Sequence, residues 1–153
     1  MLQRFTTEND LLQLVKNCAQ ESLHLDFKRS PALDNRERAR KELARDAAAM
    51  ATSDGGVLLY GVIEDPRTHE ATGLDRGVDP VEFPKEWIEQ VIHSNVSPSI
   101  EGLHVEPIEL ETISPDRYGY AVTVPPSDRA PHMVDHRYSV PSKLAREALS
   151  WTG

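Results

Sequence analysis

Asp26 and Lys28 stand two residues apart in the stretch ESLHLDFKRS, residues 21–30, where Leu23, Leu25 and Phe27 alternate with His24, Asp26 and Lys28. Such alternation predicts a half-buried strand, apolar on one side and wet on the other. Both Asp26 and Lys28 then leave the wet face, about 7 Å apart at the backbone. Carboxylates that hold a divalent ion, with a lysine to orient water or steady phosphate charge, are the materials of phosphodiester cleavage. Glu21 lies five residues before Asp26, an odd spacing that puts it on the opposite face of an unbroken strand. For the two to share an ion, Glu21 must sit in a turn that folds over the strand. A third acid is expected from the exit of VLLYGVI, residues 57–63, where Glu64 and Asp65 are equally placed. His24 shares the wet face and is a further proton-transfer candidate. The plainer reading of Asp26 and Lys28 is a surface ion pair worth under ~1 kcal/mol.

The formal charge of the chain is −8, so no phosphate backbone can be gripped by the surface as a whole. A local patch is needed, and residues 28–45 supply one, with seven basic residues against Asp34, Glu37 and Glu42. Arg29, Arg38, Lys41 and Arg45 are the candidate nucleic-acid contacts; the alternative is a solvated helix face. Cys18 is the only cysteine of the 153 residues, which excludes an internal disulfide and a cysteine zinc cage. His132 and His136 are four apart, but on loop and strand rather than helix, which makes a weak zinc pair. There is no G-x-x-x-x-G-K-[ST] run, so no ATP site is expected. Gly55-Gly56 reads instead as a helix stop. With no long apolar run and no basic-then-apolar leader, the chain is expected to be cytoplasmic and free of membrane spans.

These groups need elements to position them. TTENDLLQLVKNC predicts an amphipathic helix capped by Thr6 or Thr7. LDNRERARKELARDAAAMATSDGG predicts a second, capped by Asp34, with Ala39, Leu43, Ala47 and Met50 inward. VLLYGVI, apolar throughout, predicts a central strand covered on both faces. PVEFPKEWIEQVIHSNV adds a helix packing through Trp87, Ile88, Val91 and Ile92. LHVEPIELETI and YGYAVTVPP, parted by the turn SPDR, predict an antiparallel hairpin. VDHRYSV and SKLAREALSW complete the series as an edge strand and a terminal helix. The sum is a single α+β domain over residues 1–153, a mixed β-sheet flanked by helices.

In order, ESLHLDFKRS, ELARDAAAMATSDGGVLLYGVIED, ATGLD, WIEQVIHSNVSPSI and GYAVTVPPSDRAPHM resemble the AlbA-like domain of the Schlafen family over nearly the whole chain. The family pattern is an acid-rich E…EFK strand, a helix ending near a double glycine, and a strand reading G-V-x-D. Asp26 here stands where that pattern has glutamate. The resemblance implies a nucleic-acid-binding protein and a candidate metal-dependent endoribonuclease acting on tRNA-like or other structured RNA, favoured over DNA. Carried over, Glu21, Asp26 and Glu64 or Asp65 would hold Mg²⁺ or Mn²⁺, with Lys28 at the phosphate. The alternative is a non-catalytic module that binds DNA, RNA or a protein partner. Because Schlafens build their groove from two such lobes, a homodimer is expected.

Overall fold

The computed structural model describes residues 3–134. Helix α1 (Glu8–Lys16) leads to strand β1 (Leu25–Lys28), a single 3-10 turn (Ser30–Ala32) and helix α2 (Glu37–Thr52). Strands β2 (Gly56–Tyr60), β3 (Val62–Glu64) and β4 (Ala71–Leu74) follow, then helix α3 (Lys85–Asn95). Strands β5 (Val96–Ser97), β6 (His104–Glu109), β7 (Tyr118–Val124) and β8 (Met133–Val134) complete the described chain. The main sheet has the order β1-β2-β7-β6, with β1 parallel to β2 and the other pairs antiparallel. This is the predicted α+β fold with a mixed sheet, and β6 and β7 form the predicted hairpin. Among the described residues no helix is long and apolar enough to cross a membrane.

Strand β2 is buried along its whole length because both faces are covered. Its even residues, Leu58 and Tyr60, join Leu43, Ala47 and Met50 of α2 and Ile88 and Ile92 of α3 in one core. Its odd residues, Val57 and Leu59, join Leu11 and Leu14 of α1, Phe27 and Ala71 in the other. The period of two thus divides the molecule into an α2/α3 face and an α1 face. Phe27 points to the α1 face, and Asp26 and Lys28 to the α2 face. The register sets Asp26 beside Leu58 and Lys28 beside Tyr60.

Several boundaries differ from the sequence reading. The strand begins at Leu25; Leu23 lies in the preceding turn and is 80% exposed. The N-cap of α2 is Arg36, and Asp34, two residues before that cap, instead accepts from the Arg36 side chain. Ala39 is only half-buried. VLLYGVI is not one strand, because Gly61 has φ +110 and turns the chain out of the sheet into β3. Its N–H donates to the Lys28 carbonyl and its carbonyl accepts from the Asp75 N–H, which ties the ends of β1, β2 and β4 together. Thr7 caps α1 in a reciprocal box with Asp10. The Gly55 stop has φ +81, and its N–H donates to the Met50 carbonyl. A Cβ there would come within 2.6 Å of the Val124 carbonyl oxygen, so only glycine fits. Most of the VDHRYSV strand, the terminal helix and His136 lie outside the described residues.

Candidate metal and phosphate site

Strand β1 is the edge of the main sheet, so its outward N–H groups need partners. The Phe27 N–H donates to Glu21 Oε2 at 2.8 Å. Glu21 therefore folds back over the strand it precedes, and its carboxylate lies on the edge next to Asp26. Its own N–H donates to the carbonyl of His69, and Ala71 N–H donates to the Ala19 carbonyl, so the β3–β4 hairpin is laced to this segment. Glu64, the last residue of β3, and His69, in the loop that follows, are thereby brought to the Glu21 carboxylate. His69 Nδ1 is 3.5 Å from Glu21 Oε1 and 3.4 Å from Glu64 Oε2. One ligand atom from each of Glu21, Glu64 and His69 lies within 4.8 Å of the others. Glu64 Oε1 is buried with no hydrogen-bond partner.

The other half of the site is a lysine between two acids. Lys28 Nζ is 3.4 Å from Asp26 Oδ2 and 3.2 Å from Asp46 Oδ2, the latter projecting from α2. Two carboxylates thus flank one ammonium, a third, Glu21, lies against Asp26, and these groups perturb one another. Burial, reinforced by the neighbouring Glu21 carboxyl, pushes Asp26 up to about 6 against the opposing charge of Lys28. Asp46 is also raised, again by burial first, with Lys28 opposing. Burial lowers the Lys28 pKa, but Asp46 and Asp26 outweigh it and the net direction is up, so the ammonium stays charged.

Glu21 thus neighbours Asp26, which pairs with Lys28, and Glu64 meets Glu21 beside His69, but Asp65 has a different task. Its Oδ1 accepts from the N–H groups of Arg67 and Thr68, closing the turn between β3 and β4. Asp26 faces Lys28 and does not join the group of ligand atoms formed by Glu21, Glu64 and His69. On α2, Lys41 and Arg45 are paired within the helix to Glu37 and Glu42, while Arg38 has no ion pair among the described residues. Arg29, just past β1, lines an open cleft of about 520 Å³ with Arg76, Arg117, Asp75 and Phe83. His24 turns away from the site, its Nδ1 2.9 Å from the Gly55 carbonyl. His132 is buried between the Pro98 carbonyl and Ser127 Oγ, at 2.7 and 2.6 Å, which leaves neither ring nitrogen for a metal.

Asp46 and His69 are the site residues that sequence reasoning misses. Asp46 lies in a helix whose charged residues read as a solvated face. The usable signal is the strand lysine itself, which needs a second acid on the helix covering it. His69 carries no periodic signal, since a turn places it.

The profile of the family described as Schlafen, AlbA_2 matches residues 21–145. The chain belongs to that family. A solution structure of the N-terminal domain of a putative ATP-dependent DNA helicase RecG-related protein from Nitrosomonas europaea is similar in fold, with TM-score 0.60 and 18% identity. That match covers 91% of this chain and 86% of the other. A crystal structure of a Corynebacterium diphtheriae protein aligns at TM-score 0.44 and 20% identity, over 81% of this chain and 23% of that one. No curated protein matches significantly.

Proposed function

We propose that this domain binds RNA and cleaves it with the help of a divalent ion held by Glu21, Glu64 and His69. The observation that carries the reading is the convergence of those three groups within 4.8 Å, linked through Glu21 and Asp26 to an ion-paired lysine. The buried, partnerless Glu64 Oε1 fits such an ion, because an oxygen with no donor is costly unless a cation meets it. When bound, Mg²⁺ or Mn²⁺ would polarise a phosphodiester and lower the pKa of water. The other roles fall to this chain's own groups. Lys28 presents a positive charge whose position is fixed by Asp26 and Asp46. Asp26, with a pKa near 6, is suited to take or give a proton near neutral pH. In this reading Arg29 and Arg38 meet flanking phosphates, and a second copy of the chain would supply the opposite wall of the groove.

Incubating the purified protein with tRNA, in Mn²⁺ or in chelator, tests this reading. Cleavage is expected only with the ion. It should fall by about 100-fold or more in a Glu21→Ala, Asp26→Ala double variant, the usual scale for losing acid–base and ligand groups. Cutting that persists in the double variant would place the activity elsewhere. The pairing of Lys28 with both Asp26 and Asp46, which satisfies its charge within the protein, favours a second reading, in which the family site is retained without turnover. RNA would then bind intact, with a log-log salt slope near −0.7 per single-stranded phosphate; a flat slope would instead indicate a protein partner.

A further inference from the structure

His69 has φ +61, in the left-handed region, where histidine, like asparagine and aspartate, is enriched over the other non-glycine residues. The backbone is pinned from both sides. Its N–H donates to the Asp65 carbonyl at 2.7 Å, and its carbonyl accepts from the Glu21 N–H at 2.9 Å. Asp65 fixes the same turn through the N–H groups of Arg67 and Thr68. The outcome of this bracing is an imidazole whose Nδ1 is aimed between two carboxylates.

The distances say what the imidazole is placed for. At 3.4 and 3.5 Å, Nδ1 is too far from Glu64 Oε2 and Glu21 Oε1 for strong hydrogen bonds. Ligand atoms at tetrahedral corners about 2.1 Å from one ion are about 3.4 Å apart. Both His69 contacts match that edge, and the two carboxylate ligand atoms, within 4.8 Å of each other, would close on the ion as it binds.

We infer that His69 is a direct ligand and that it makes this centre select a nitrogen-accepting transition ion, Zn²⁺, Co²⁺ or Mn²⁺, over Mg²⁺. The inference rests on the divalent-ion reading above and adds the identity of the ion. Mg²⁺ demands octahedral oxygen ligands and gives up water reluctantly. Imidazole favours the later ions, with affinity rising from Mn²⁺ through Co²⁺ towards the end of the series. Two carboxylates and one histidine also leave a coordination position open, as in catalytic rather than structural zinc sites.

Calorimetric titration of chelator-stripped protein with ZnCl₂, MnCl₂ and MgCl₂ tests the assignment in wild type, His69→Asn and Glu21→Gln. Asparagine tolerates the left-handed backbone, so the turn is kept; thermal unfolding in chelator checks that each variant folds. Wild type is expected to bind Zn²⁺ at least about 100-fold more tightly than Mg²⁺. His69→Asn should weaken Zn²⁺ by at least about 30-fold and leave Mg²⁺ within about threefold. Zn²⁺ affinity unchanged in His69→Asn, but lost in Glu21→Gln, would overturn the role of His69 and leave the divalent-ion reading standing. Wild type that binds none of the three ions would overturn both.

Discussion

Asp26→Asn is expected to stabilise the domain by about 1–2 kcal/mol at pH 7.5 and to change little near pH 3.5. The carboxyl has an ordinary value of 3.8 and about 6 in the folded protein. Between those values the folded state binds more protons than the unfolded one, so wild-type stability falls as pH rises from about 4 to 6 and stays reduced above. The full shift corresponds to about 3 kcal/mol, which solvent screening at a side chain still 28% exposed reduces to the stated range. Asparagine is neutral throughout and escapes the cost. Lys28 loses one partner but keeps Asp46 at 3.2 Å. Urea unfolding at the two pH values measures the difference. A loss of stability at pH 7.5 would mean that attraction to Lys28 outweighs burial and the Glu21 carboxyl. The same variant cannot accept a proton at this position, so RNA cleavage should drop by about 100-fold. A gain in stability with a loss of activity is the signature of a group kept for chemistry.

Asp75→Ala is expected to cost about 3 kcal/mol, because this one carboxylate accepts three hydrogen bonds. Its Oδ2 accepts from the Ser30 N–H, and its Oδ1 from the Ser30 hydroxyl and the Gly77 N–H, at 2.7 to 2.8 Å. Through Gly61 its backbone is also joined to the end of β1. Ser30 is 8% exposed, so removing the acceptor strands two buried donors. The midpoint of urea unfolding reads the loss directly. A change under about 0.5 kcal/mol, the level of an ordinary surface substitution, would show that the β1–β4 junction does not depend on this clamp.

Much of this architecture is legible in the residues. The division of β2 between two cores follows from an apolar run too short for a helix. The position of Phe27 follows from alternation, and the hairpin of β6 and β7 from two strand patterns joined by SPDR. Glu21 has the wrong spacing for its proposed neighbour, and that misfit already requires the fold-back that the Phe27 N–H secures. The choice between Glu64 and Asp65 was open to a turn argument. Asp65 precedes Pro66, and an aspartate in that position commonly caps the next turn with its own side chain, which leaves Glu64 free. Other features depend on contacts across the chain that no local pattern encodes. His69 reaches Glu21 only because two hairpin strands are laced to the segment before β1. Asp46 meets Lys28 only because α2 crosses the strand at that turn. Arg29, Arg76 and Arg117 share a cleft although they come from three separate loops.

The account turns on where a divalent ion sits. A crystal of this protein soaked in MnCl₂ and measured for anomalous scattering locates it without reference to activity. One peak bonded to Glu21, Glu64 and His69 at about 2.0–2.2 Å is the expected result. A peak on other residues, or none at a manganese concentration that supports cleavage, would contradict it.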